Sequence, residues 1–117
     1  METLDLSQEL SQFTGTEYFH RSSPFSKMVH TDGVKHFCDR AGAYWLLDII
    51  ASEYAPLLKN VPFQSISLIV NHQKADISVE DGDCKTIKTK HLDYTDCPTG
   101  LYRFFLVDNV LMLTSEY

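Results

Sequence analysis

The sequence predicts an α+β fold in which N-terminal helices pack on one face of a four- to five-stranded antiparallel sheet. Three observations carry this. Apolar residues recur at spacings of three and four in residues 1–60, they alternate at a spacing of two in residues 61–117, and the alternating runs are separated by short turn sequences such as Asp81-Gly82 and Asp108-Asn109. A period near 3.6 buries one side of a helix and a period of 2 buries one face of a strand. Helices first and hairpin-linked strands second is the α+β arrangement. The chain has 117 residues, which fits one domain over 1–117. A chain of this size buries roughly 65% of its unfolded surface.

The elements follow in order. Residues 3–12 read as a short amphipathic helix through Leu6, Leu10 and Phe13, ended by Gly15. Residues 17–30 contain Ser22-Ser23-Pro24 and read as irregular, with one short extended piece. Thr31-Asp32-Gly33 is a helix start, because a Thr or Asp side chain accepts from the first free backbone N–H groups. Val34, Phe37 and Cys38 continue that helix, and Gly42 breaks it. The next stretch, Tyr44 to Ile50, is apolar nearly all round and holds the only tryptophan. An all-apolar helix must be enclosed, so Tyr44, Trp45, Leu46, Asp48 and Ile49 are expected in the core, with the Asp48 carboxylate paired, hydrogen-bonded or at the edge. Pro56 suits the first turn of a further helical piece.

After Pro62 the alternation begins. Ile66, Leu68 and Val70 fall on one face, Phe63 and Ile69 on the other. Ala75, Ile77 and Val79 alternate with polar residues up to Asp81-Gly82, a two-residue hairpin signal in which Gly82 is expected at positive φ. Strands are expected near 74–80, 84–91, 101–107 and 110–113. Lys85, Lys88 and Lys90 form the only basic concentration, the kind of row that keeps an exposed strand from edge pairing.

Composition excludes several classes. Ten basic and sixteen acidic residues give a net charge of −6, against direct binding to a phosphate backbone. No apolar run reaches the roughly 20 residues that span a bilayer, and Met1-Glu2-Thr3-Leu4-Asp5 does not open a secretory signal. A cytoplasmic protein is expected. Cys38, Cys84 and Cys97 are an odd number without CxxC spacing, which reads as free thiols in a reducing compartment.

Little in the chain points to a reaction. Asp32 and His36 share a helix face at i and i+4, with His30 just before. A closed zinc or iron site wants four ligands with second-shell support, so neither metal nor cofactor is expected. Cys38 stands about 200° around the helix from His36, too far for a Cys–His pair. Asp48, Asp96 and Glu116 supply carboxylates that the sequence does not bring together. Walker, GxGxxG, GxSxG and HExxH patterns do not occur,.

Five pieces taken together resemble a known family. They are Phe13-Thr14-Gly15-Thr16-Glu17, Thr31-Asp32-Gly33, Ala41-Gly42-Ala43-Tyr44-Trp45-Leu46-Leu47-Asp48, Tyr94-Thr95-Asp96-Cys97-Pro98, and Val110-Leu111-Met112-Leu113 with Ser115-Glu116-Tyr117. In this order they resemble a small uncharacterised family of bacterial, plasmid and phage proteins, a domain of unknown function. The Tyr-Trp-Leu-Leu-Asp block and the terminal Ser-Glu-Tyr are the specific parts. The family pattern has Phe at the position of Cys97 and Pro at that of Thr114, so Cys97 is not expected to be a family-wide nucleophile. The resemblance implies a mobile-element setting and carries no catalytic assignment over to this chain.

The leading expectation is a non-enzymatic protein-binding module. Its concrete form is a mobile-element-encoded, anti-CRISPR-like inhibitor that docks on a basic, nucleic-acid-binding surface of a host defence complex. Glu80, Asp81, Asp83, Asp93, Asp96 and Asp108 would steer association. The rivals are a small hydrolase or metal-dependent enzyme using Asp48, Asp96, His30 or His36, and a homo-oligomeric structural protein, a homodimer in its simplest form.

Overall fold

The computed structural model describes residue 10, residues 19–21 and residues 27–117. Leu10 is buried; the rest of the helix expected over 3–12 and the Phe13–Glu17 piece lie outside the described residues.

Helix α1 (Asp32–Ala41) begins as its sequence dictates. Thr31 is the N-cap, its side chain accepting from the Val34 N–H, and Asp32 places an acid in the first turn. Val34, Phe37, Cys38 and Ala41 form the buried stripe. Gly42 ends the helix at φ 63 and returns its N–H to the Cys38 carbonyl, the left-handed cap that glycine supplies without a steric penalty.

Helix α2 (Tyr44–Ile49) runs on into a π-helical turn (Ile50–Tyr54) and a 3-10 turn (Ala55–Lys59) with Pro56 at its start. The expectation of an enclosed, all-apolar helix is corrected here. Leu46, Leu47, Ile50, Ala51 and Tyr54 are buried, while Tyr44, Asp48 and Ser52, at i, i+4 and i+8, form an exposed stripe. Trp45 and Ile49 are half-buried flanks of that arrangement. Asp48 needs no buried partner because it faces solvent, and Tyr44 hydrogen-bonds Asp39 of α1. That bond raises the Tyr44 hydroxyl pKa to about 12. Aromatic and aliphatic residues on one flank gave the segment its all-apolar look, although only one side is covered.

Among the described residues the sheet is mixed and seven-stranded, in the order β1-β2-β7-β6-β3-β4-β5. Its strands are β1 (Phe19–Arg21), β2 (Val29–Thr31), β3 (Phe63–Asn71), β4 (Lys74–Glu80), β5 (Thr86–Leu92), β6 (Gly100–Val107) and β7 (Val110–Leu113). Four to five antiparallel strands are thus too few. The two added strands have three residues each, too short to show alternation. The pairing of β2 with β7 is parallel, which the long stretch of chain between them permits.

Register builds the core. Ile66 lies opposite Val79 and Phe104, Leu68 opposite Ile77 and Tyr102, and Leu106 opposite Leu111. All are buried and share one face. The Phe37 ring of α1 stands 5.0 Å from Tyr102 and 5.2 Å from Phe104, at distances typical of favourable aromatic pairs. Gln64 is buried in the same layer and ties the helical segment down by donating to the Tyr54 carbonyl at 3.0 Å.

Three turns join the sheet. His72-Gln73 and Asp108-Asn109 both have positive φ at their two central residues, the I′ geometry that matches strand twist. The Asp81–Lys85 turn differs from its expectation. Gly82 is not at positive φ; Cys84 is, at 65°. The Asp81 carboxylate organises this turn by accepting from the Asp83 and Lys85 N–H groups at 2.8 and 3.0 Å. Next to the turn the pairing of β4 with β5 shifts register, Val79 lying opposite Lys88 and Glu80 opposite Thr86 so that Ile87 is the extra residue. Farther along β5, Lys90 pairs with Glu53 at 3.1 Å.

Substitutions should rank accordingly in urea unfolding. Phe37→Ala empties a fully buried aromatic site and should cost about 3–5 kcal/mol; Trp45→Ala should cost clearly less. Asp81→Ala should cost about 1 kcal/mol. Gly82→Ala should be neutral or stabilise by up to about 1 kcal/mol, since the nearest side-chain atom to an added Cβ is 4.0 Å away. A Gly82→Ala loss larger than that of Asp81→Ala would contradict this account of the turn.

Candidate functional site

Two motifs more than eighty residues apart in sequence meet in space. After β7 the chain makes a short 3-10 turn (Thr114–Glu116), which carries the Glu116 side chain to the start of α1. One carboxylate oxygen, Oε1, accepts from the Thr31 hydroxyl at 2.6 Å and the Leu113 N–H at 3.0 Å; Oε2 accepts from the Gly33 N–H at 3.2 Å. The Thr31 oxygen in turn accepts from the Val34 N–H at 3.4 Å. An anion at a helix N-terminus is favoured by both the free N–H groups and the helix dipole. Gly33 permits the approach: a Cβ there would sit 2.5 Å from Leu113 Cδ1 and 2.7 Å from Glu116 Oε1.

This latch directs Tyr117 onto the sheet face opposite the core. There Tyr117 meets Phe63 and Phe105 edge-on, with ring centroids 5.9 and 5.2 Å apart, and Phe63 lies 5.1 Å from Phe105. Tyr117 is 73% exposed. Beside this cluster runs an open groove of about 280 Å³, based on the sheet residues Val107, Val110 and Met112 and lined also by Phe19, Asp108, Tyr117, Thr31 and Glu116.

The six acidic candidates divide between two ends of the sheet. Glu80 lies opposite Ser65, and Phe63 opposite Val107, so Glu80, Asp81, Asp83 and Asp108 occupy the end that carries the aromatic cluster. Asp93 and Asp96 follow β5 at the other end. Asp93 shares His91 with Asp76 at 3.2 and 2.7 Å, and Asp96 accepts from the Tyr94 hydroxyl at 2.6 Å.

The catalytic candidates are not assembled. Asp48 is exposed on α2, Asp96 is held by Tyr94, and Glu116 is held at α1. Among the described residues no group of three or more His, Cys, Asp or Glu side chains is placed to hold a metal ion. Asp32 instead bonds His20 Nε2 at 2.8 Å, and the His20 and His30 rings stack 5.4 Å apart, which fastens β1 and β2 to the helix start. Burial, and secondarily His20, lowers the His30 pKa to about 4. Cys38 and Cys97 are buried, with thiol pKa values raised by burial to about 12 and about 11, the opposite of a nucleophile's requirement. Cys84 is exposed.

Sequence reasoning missed the latch, the aromatic cluster and the part played by His20. Phe63 and Phe105 were readable as off-core positions from strand parity. The arrival of Tyr117 beside them was not, because it depends on the path of the last three residues.

Three outcomes follow. Gly33→Ala should destabilise, because overpacking of about 1–3 kcal/mol exceeds the roughly 1 kcal/mol gained in helix propensity; a stabilised variant in thermal unfolding would refute the close approach. His30 should make the fold acid-sensitive. From pH 6.5 down to about 4 the unfolded chain binds a proton that folded His30 refuses, so its contribution is complete above pH 6.5 and is lost as pH falls, by at most about 3 kcal/mol. His30→Gln should flatten stability against pH in that window, and an unchanged slope would contradict the assignment. Thiol titration of native protein should show one fast thiol, Cys84, and two slow ones; rapid loss in a Cys84→Ser variant would contradict the burial of Cys38 and Cys97.

No curated protein and no solved structure matches this chain. A family model covers residues 4–117, nearly its whole length, and includes both halves of the latch. The chain belongs to that family, DUF6876, a family of unknown function.

Proposed function

We propose that this protein is a non-enzymatic module that binds another protein through the outer face of its sheet. The observation that carries this is the Phe63–Phe105–Tyr117 cluster, with Tyr117 73% exposed and Glu80 and Asp108 at the same end. Aromatic residues in the open with a polar rim are what protein-binding sites use as anchors. The acidic rim and the net charge of −6 favour a partner with a basic surface, and steer its approach. A basic nucleic-acid-binding surface in a host defence complex is one such partner, a form of the reading that rests on the sequence resemblance alone.

The test is capture of partners from host lysate with the tagged protein, followed by association kinetics on each purified candidate. Tyr117→Ala should speed dissociation. Reversal of Glu80 and Asp83 to lysine should slow association, and higher salt should narrow that difference because the charges are screened over about 8 Å at physiological strength. Reversal of Asp93 and Asp96 at the far end should do little. Equal effects at both ends, or none at either, would contradict this placement of the binding surface, and turnover of a small substrate would favour the hydrolase reading instead.

A further inference from the structure

The groove beside Tyr117 has the chemistry of a receptor for one particular side chain. Its volume of about 280 Å³ stands at the small end of the roughly 300–1,000 Å³ of small-molecule sites and has room for a single long side chain. Its base is apolar, formed by Val107, Val110 and Met112. These positions are neighbours by register: Val107 pairs with Val110, and Phe105 with Met112. Met112 is half-buried and unbranched, so it can adjust to what lies on it. One side is the open ring of Tyr117. At the turn end stands Asp108, exposed and with no ion-pair partner among the described residues. The other carboxylate of the groove, Glu116, has its oxygens turned to Thr31, Leu113 and Gly33.

An apolar base suits a methylene stem, an aromatic ring suits a cation on its face, and a carboxylate suits a charged head. Together they match an amphipathic cation. Arginine fits better than lysine, because a planar guanidinium stacks on the tyrosine ring while its edge engages a carboxylate through two parallel N–H groups. The protein's own cations on this face include Arg103, opposite Ser67 in its middle, and Arg21, opposite Val29 on β1 and so two strands from Val110; Arg21 already has a partner. We infer that the groove formed by Phe19, Val107, Asp108, Val110, Met112 and Tyr117 receives an arginine side chain of the partner protein. This rests on the protein-binding reading above and names the anchor that the partner presents.

The test separates the anchor from that reading. The intact protein is titrated with N-acetyl-arginine methylamide at constant ionic strength and followed by heteronuclear NMR. The lysine, citrulline and norleucine analogues serve as probes of head-group shape, charge and stem. Shifts should be centred on Val110, Met112, Tyr117 and the Asp108 turn. Arginine should bind more tightly than lysine, and citrulline and norleucine should be weaker by about fivefold or more, the equivalent of roughly 1 kcal/mol. Asp108→Asn should weaken arginine by a similar factor and leave citrulline unchanged. That substitution keeps the turn, since Asp108 sits at φ 52 and asparagine tolerates the left-handed region. Equal binding of citrulline or lysine, shifts spread over the Glu80–Asp83 turn instead, or an Asp108→Asn variant with unaltered affinity would each overturn the arginine assignment. If a captured partner responds to Tyr117→Ala and charge reversal while arginine fails to bind, only the anchor is lost. If arginine binds at the groove and no protein partner is captured at this face, the protein-binding reading fails and the groove stands.

Discussion

The carboxylate of Glu116 holds together parts of the chain that the sheet alone leaves loosely joined. Strands β1 and β2 have three residues each, and β2 meets β7 over only two register pairs. Such short pairings contribute little by themselves. Glu116 joins the end of β2, the start of α1 and the end of β7 through three donors, each bond strengthened by the negative charge of the acceptor. It also takes the place of water at the first turn of α1, where backbone N–H groups have no partners within the helix. Gly33 lets the carboxylate approach, and Thr31 transmits the contact to the Val34 N–H.

The same constraint shapes the outer face. On the core side β3, β4, β6 and β7 each contribute an apolar row, closed by Phe37 and the buried stripe of α2, while the edge strand β5 sets Lys88 and Lys90 beside Val79 and Ile77. The outer side is uneven. Polar pairs such as Ser67 opposite Arg103 cover its middle, the exposed pair Ile69 and Leu101 lies toward one end, and the aromatic cluster lies at the end where Glu116 delivers Tyr117. A tail that ended elsewhere would leave Phe63 and Phe105 without their third ring and the groove without one side. Stability and the proposed binding surface are therefore linked through one residue, whose own oxygens are spent on structure.

Much of this fold was legible in the sequence. Thr31-Asp32-Gly33, Gly42 and Pro56 mark helix boundaries by local backbone chemistry, and they stand where that chemistry puts them. Alternation in β3, β4 and β6 separated core from surface because one-sided burial imposes a period of two. Asp108-Asn109 was visible as a turn, and His72-Gln73 was not, because neither residue signals positive φ strongly. Asp48 misled because apolar neighbours on a helix flank resemble a buried helix when they are counted rather than projected. β1, β2 and the β2–β7 pairing are long-range features with almost no local signature. The site was the least legible part, since Glu116, Gly33 and Tyr117 acquire their roles only when residues 31–33 and 113–117 meet in space.

The most direct measurement of the central claim is a double-mutant cycle on Thr31→Ala and Glu116→Ala, by equilibrium urea unfolding at neutral pH. If the carboxylate is the latch, the two changes are strongly non-additive, with a coupling energy of about 1.5–3 kcal/mol, the range for a hydrogen bond to a charged group. Additivity within about 0.5 kcal/mol would show that Thr31 and Glu116 do not act as one unit, and would contradict the account.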